Sequence, residues 1–189
     1  MGKEDSLEAG RSPVCQGDSQ EKDELGAEIE LAIKEGIEEI AGKVCEFVLP
    51  IRQEYHLGKG KHMAVCTLSS LDLLERLSAS EDFMNKVALV GRLLSENKGI
   101  DTIVRFVVTH PALREIVICG REVRGHRAGQ ALLSLSRNGT DAEGRILGAV
   151  GARPVLLSAH KDVELFRKQV KILDHIGTTD YPTIAKLVP

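Results

Sequence analysis

A chain of 189 residues, 42% of them hydrophobic, is long enough to bury one sizeable core, so one domain with an appendage is expected. Its formal net charge of −3, with basic and acidic residues interspersed, leaves no basic stripe to track a phosphate backbone and argues against nucleic acid as a partner. The longest apolar runs fall far short of the roughly 20 residues that cross a bilayer, and the polar start Met1-Gly2-Lys3-Glu4-Asp5 has no apolar core for a secretory signal; a cytoplasmic chain without a membrane span is expected.

Residues 1–20 are polar, carry Gly10, Pro13 and Gly17 without periodicity, and read as a disordered tail. Within 21–57, Ile33, Ile37, Ile40, Val44, Phe47 and Ile51 recur at spacings of four, three, four, three and four, the seam of an amphipathic helix that Pro50 should end near Leu49. Gly36 and Gly42 each cost that helix about 1 kcal/mol relative to Ala, so docking must hold it. The stripe is expected to face the chain's own domain, with a homodimer through the seam as the alternative. Gly58-Lys59-Gly60 reads as a flexible hinge leading into a domain over 60–189.

Beyond the hinge, short apolar runs alternate with helical patterns, the signature of βαβ units. Strands are predicted over 63–68, 88–90, 115–119, 145–150 and 155–157, and helices over 100–109, 128–137 and 161–176. The last helix carries Val163, Phe166, Val170, Leu173 and Ile176 on one face, with Gly177 as its stop. The fold class is α/β: a Rossmann-like, mostly parallel sheet flanked by helices, with an extra N-terminal helix. Cys15, Cys45, Cys66 and Cys119 are too widely separated for a Cys-x-x-Cys element, and the last two are expected as small buried apolar groups. His110 falls at a helix end and His160 and His175 on the polar side of a helix, none at zinc-ligand spacing from another.

The segment Gly125-His126-Arg127-Ala128-Gly129-Gln130 follows the predicted strand ending in Ile118-Cys119-Gly120 and opens a helix. That order puts one imidazole at the carboxyl end of a parallel strand, the edge where open α/β sheets take ligands, and neutral imidazole is a common transition-metal ligand. The dinucleotide fingerprint Gly-x-Gly-x-x-Gly is absent. Gly120 to Gly125 has the interval of a phosphate loop, but His126 and Arg127 stand where that loop needs Lys and Ser or Thr, so a phosphate- or nucleotide-binding domain is a weak alternative.

The run Val123 to Gln130, preceded by Ile118-Cys119-Gly120, resembles the corrinoid-binding segment of the A subunit of tetrahydromethanopterin S-methyltransferase. Collinear blocks resemble the same family: Ala64-Val65-Cys66-Thr67-Leu68, Ser95-Glu96-Asn97-Lys98-Gly99-Ile100, Ile146-Leu147-Gly148-Ala149-Val150-Gly151-Ala152-Arg153-Pro154, and Phe166-Arg167-Lys168-Gln169-Val170. Together they cover roughly residues 62–176. The resemblance implies a cobamide cofactor, cobalamin or a relative, with His126 as axial ligand to its cobalt. It implies a methyl carrier cycling between cob(I)amide and methyl-cob(III)amide, served by methyl-donor and methyl-acceptor subunits, the donor a pterin nitrogen and the acceptor a thiolate. Coupling of the cobalt's state to protein movement is then limited by the differential affinity of His126 for the two states.

On this reading the imidazole's second nitrogen needs an acceptor, with Glu122 as candidate and a solvated carboxylate as its plain alternative. Gly125 and Gly129 lack side chains where a macrocycle would approach backbone, though turn geometry and helix packing explain them equally. Gln130 either meets the peripheral amides of a corrin or caps the first turn. Gly148 and Gly151 either cradle the cofactor or merely turn the chain. Thr67, Leu68, Ser69 and Ser70 end the first predicted strand at the same edge, where hydroxyl contacts to the cofactor compete with helix capping by Ser70. Family members usually end in a membrane anchor, whereas this chain stops at Leu187-Val188-Pro189, carries the leading helix and has Arg92 where the family has Pro. A soluble carrier serving another methyl donor or acceptor and a soluble fragment are both open on this reading, with a cobalamin storage, delivery or sensing protein as the alternative function.

Overall fold

The computed structural model describes residues 55–189. The chain divides into one unit of Met1–Arg52 and another of Gln53–Pro189, and only the second is described below. The polar tail, the amphipathic seam, its dimer alternative, Cys15 and Cys45 lie outside the described residues.

Strand β2 (Met63–Cys66) is buried along its whole length, and so is β4 (Glu115–Gly120) after its first residue. Such continuous apolar runs suit central strands covered on both faces. Alternation divides them: Ala64, Cys66, Ile116 and Ile118 join one core with the helices α3 (Lys98–Thr109), α4 (Ala128–Asn138) and α5 (His160–Gln169). Met63, Val65, Val117 and Cys119 join the other, with α1 (Leu71–Ser78), α2 (Glu81–Lys86) and α6 (Tyr181–Ala185). The five-stranded sheet has the order β1-β3-β2-β4-β5, with β1 (Tyr55–Leu57) an antiparallel edge on β3 (Leu89–Gly91) and β5 (Lys171–Ile176) a parallel edge on β4.

From β2 the chain goes to one side through α1 and α2, then returns by α3 on the opposite face to β4. The order therefore reverses between β2 and β4, and the crevice at their carboxyl ends is the switch point where such sheets bind ligands.

Four expectations change. The predicted strand at 145–150 forms no sheet strand; it makes only the isolated bridges Thr140↔Ile146 and Arg145↔Val155. Ile146 and Leu156 enter the core, but Leu147 and Val150 are exposed and Gly148 turns the run at φ 80°. The segment at 155–157 likewise keeps only the Val155 bridge.

The predicted helix at 161–176 is α5 followed by β5. Val170 leaves the helix at φ −117°, ψ 139°, and Lys171 N–H then donates to Arg114 O at 2.8 Å. The free edge of β4 outcompeted helical periodicity, because Leu173 and Ile176 satisfy both patterns. His175 is consequently a strand residue, and His160 is the first residue of α5.

The Gly58-Lys59-Gly60 hinge is instead a bonded turn after β1, with Gly58, Lys59 and Gly60 N–H groups donating to Ala88, Met84 and Val87 carbonyls at 3.0, 2.8 and 2.9 Å. A Cβ on Gly58 would fall 2.0 Å from Val87 O.

Candidate functional site

The site begins where the loops leaving β2 and β4 are stitched together. Gly120 turns at φ 81°, where a side chain would strike Thr67 O. Ser69 donates to Arg121 O through both its N–H, at 3.1 Å, and its hydroxyl, at 2.8 Å. Arg121 N–H donates to Ser70 Oγ at 2.8 Å, so Ser70 begins α1 without capping it through its side chain. Thr67 is buried with its hydroxyl toward Gly91 O at 3.4 Å, and Leu68, at φ 48°, is also fully buried. The side chains of 67–70 thus hold the crevice together.

The next segment builds the start of α4. Arg127 sits in the left-handed region at φ 49°, and the helix's first N–H groups point back at Glu122. That carboxylate accepts from Val123 and Gly129 N–H on Oε1, at 2.9 and 3.0 Å, and from Gln130 N–H on Oε2, at 2.9 Å. Glu122 is therefore the helix's own anion, placed where the macrodipole favours negative charge. It also fills the position a phosphate would take in a phosphate loop. Gly129 is enclosed: a Cβ would come within 2.9 Å of Ile176 Cδ1 and 3.0 Å of Glu122 Oε2.

With Glu122 committed to the backbone, the imidazole finds a different acceptor. His126 Nδ1 lies 2.8 Å from Glu96 Oε2; Glu96 is only 1% exposed, whereas the His126 side chain is 55% exposed. Glu96 Oε1 accepts Arg153 N–H at 2.8 Å. A carboxylate oxygen accepts, so this contact puts a ring proton on Nδ1; in the neutral tautomer that fits it, Nε2 carries the lone pair. No group bonds Nε2 among the described residues. The expected imidazole acceptor is corrected from Glu122 to Glu96.

The residues that hold Glu96 come from the block at 95–100. Ser95 Oγ accepts Gly99 N–H at 2.9 Å and Asn97 Oδ1 accepts Lys98 N–H at 2.6 Å, winding the first turn of α3 directly after Glu96. Sequence reasoning reads this block only as a family marker and misses its chemistry. An acid just before a helix is the available signal, but its partners lie 30 and 57 residues away.

The segment that failed to become a strand is pinned across the same edge. Gln130 Nε2 donates to Gly148 O and Ser134 Oγ, both at 2.9 Å, while its Oε1 accepts Val150 N–H at 3.1 Å. Gln130 is thus a staple for the loop, with both ends of its amide engaged. At the far end the buried Asp101 accepts Leu157 N–H, Ser158 N–H and the Ser158 hydroxyl, at 2.9, 2.9 and 2.6 Å. Gly151 packs so closely that a Cβ would sit 2.3 Å from His126 O and 2.9 Å from Glu96 Cγ. A Cβ on Gly148 would meet Asn138 Nδ2 at 2.9 Å, whereas one on Gly125, at φ 80°, would meet nothing within 4 Å. Among the glycines expected to face a ligand, only Gly125 borders open space.

Cys66 and Cys119 lie in the two cores, and burial pushes each thiol up to about 12. Among the described residues there is no group of three or more His, Cys, Asp or Glu that could hold a metal, and no helix long and apolar enough to cross a membrane.

Residues 31–189 match the family model that describes the A subunit of tetrahydromethanopterin S-methyltransferase. A Methanosarcina acetivorans protein, provisionally named as the A subunit of the methyltransferase Mtx, is 38% identical over 141 residues, 74% of this chain and 67% of that protein. The tetrahydromethanopterin S-methyltransferase A subunit numbered 2 in Methanothermobacter thermautotrophicus is 43% identical over 100 residues, 52% of this chain and 55% of that protein. The corresponding A subunit of tetrahydromethanopterin S-methyltransferase from Methanosarcina acetivorans is 35% identical over 140 residues, 73% of this chain and 56% of that protein.

Proposed function

The chain belongs to the family of tetrahydromethanopterin S-methyltransferase A subunits, and from that premise we propose that it is a corrinoid-binding methyl carrier whose His126 is the axial ligand to cobalt. The observation that carries this reading is the pair of His126 and Glu96. A more than half-exposed imidazole whose Nε2 makes no bond among the described residues, backed by a buried carboxylate on Nδ1, is the arrangement typical of ligating imidazoles, where the second partner orients the ring and raises its basicity.

The donor set fits the cofactor. One imidazole suits a metal whose equatorial positions are filled by a macrocycle, and it arrives at the switch-point edge beside the open turn at Gly125. Bound there, the cobamide would supply a cobalt centre able to accept a methyl group and give it up again. The chain's own residues do the rest: His126 supplies the nitrogen, Glu96 holds its tautomer, and Arg153 N–H holds Glu96. Ser69, Ser70 and Gln130 fix the loops beneath. A pterin nitrogen as methyl donor, a thiolate as acceptor and the partner proteins that bring them belong to the same proposal.

The test is reconstitution of the full chain with aquocobalamin. A visible-spectrum change on binding is expected in the wild-type protein, and His126→Ala should lose it or weaken binding at least about tenfold. An identical spectrum and affinity in His126→Ala would refute the ligand assignment.

A further inference from the structure

Three arginines stand near His126 in sequence or through its bonding partner, although the chain as a whole carries −3. Arg124 and Arg127 flank the imidazole in sequence, and Arg153 is brought to it by its N–H bond to Glu96. All three residues are exposed, and none of their guanidiniums is bonded to or paired with another described residue. Some other arginines are engaged, Arg114 on the carbonyls of Pro111 and Leu113 and Arg167 on Glu164 and the last turn of α4; what sets Arg124, Arg127 and Arg153 apart is their place beside His126 in the chain or through its partner Glu96.

The site's two carboxylates offset part of this charge, but neither pairs with a guanidinium. Glu96 is turned to His126 and Arg153 N–H, and Glu122 to three backbone N–H groups. Since Glu122 already fills the start of α4, an anion would be taken by side chains instead. Guanidiniums present planar forks that match phosphate oxygens, and several can share one phosphate.

We propose that Arg124, Arg127 and Arg153 form a phosphate subsite beside His126, taking a phosphate-bearing arm of the ligand at that imidazole or of the substrate that meets it. The inference rests on the corrinoid reading for its first source. A complete cobamide joins its lower base to the corrin through a phosphodiester, so the subsite would favour it over a corrinoid lacking that arm.

The full chain, wild type and the triple variant Arg124→Gln/Arg127→Gln/Arg153→Gln, is titrated with aquocobalamin, with diaquocobinamide, which lacks the arm, and with inorganic phosphate. These exposed side chains make no bond among the described residues, so the variant should melt with the wild type; if it does not, the three single variants carry the comparison. The expected result is that cobalamin affinity falls at least about tenfold in the variant while cobinamide changes less than about twofold. The loss should shrink between about 0.05 and 0.5 M salt, as screening requires. The ratio of the two corrinoids cancels competition from the lower base, which the arginines leave unaltered.

Unchanged corrinoid affinities together with phosphate binding to the wild type alone would support the subsite and assign its phosphate to the substrate. Equal weakening of both corrinoids, or arginine-independent affinities with no phosphate binding, would overturn it. If neither corrinoid binds, or the spectrum ignores His126→Ala, the cofactor reading fails, and the phosphate titration alone still decides the subsite.

Discussion

Glu96 and His126 form one hydrogen-bonded pair, a buried carboxylate behind an exposed imidazole. The carboxylate fixes where the ring proton sits, and the tautomer decides whether Nε2 has a lone pair to offer. Glu96→Gln tests this at nearly constant shape. Its carbonyl oxygen can still accept Arg153 N–H, but its amide NH2 then faces Nδ1 and donates, moving the ring proton to Nε2. Corrinoid affinity in Glu96→Gln is expected to fall about 10- to 100-fold with little change in melting temperature. Titration of both proteins with aquocobalamin checks it, and equal affinity would mean that the carboxylate does not set the tautomer.

Helix α4 shows how an element's end can be mistaken for a ligand site. Its glycine-bounded approach has the look of an anion loop, yet the anion is Glu122, whose oxygens take the N–H groups of Val123, Gly129 and Gln130. Glu122→Ala leaves those donors without their acceptor and should destabilise the protein by about 1–3 kcal/mol. Urea unfolding measures this, and a change below about 0.5 kcal/mol would remove Glu122 from the helix's support. The same helix was legible in sequence almost residue for residue, because Ala131, Leu132 and Leu135 fall on one buried stripe. The boundary between α5 and β5 was not, because the spacing of Val170, Leu173 and Ile176 serves a helix as well as a strand. Only the neighbouring backbone decides such a case: β5 exists because the carbonyls and N–H groups of β4 needed partners.

Across the whole molecule, two cores lie on opposite faces of the sheet, and each holds one thiol: Cys66 with α3, α4 and α5, Cys119 with α1, α2 and α6. Burial raises both from 9.0 to about 12. In the unfolded chain a thiol ionises near its ordinary value, so above about pH 9 unfolding releases a proton. The stabilisation is complete below that pH and is lost as pH rises toward about 12, by up to roughly 1.4 kcal/mol per pH unit for each thiol. With Cys15 and Cys45 replaced by serine, urea unfolding at pH 8 and 10.5 should show a steeper alkaline loss than in the further variant Cys66→Ala/Cys119→Ala. Equal slopes would mean that the thiols do not titrate with unfolding. Local pattern by itself determined the central strands, α3, α4, the mostly parallel α/β class and an imidazole at a strand's carboxyl edge, since apolar periodicity and chain order are written in consecutive residues. Tertiary structure alone decided that β5 is a strand, that 145–158 folds back as a pinned loop, and that Glu96 rather than Glu122 meets His126. Each of those depends on hydrogen-bond partners contributed by distant segments, and no local period records which donor will meet which acceptor.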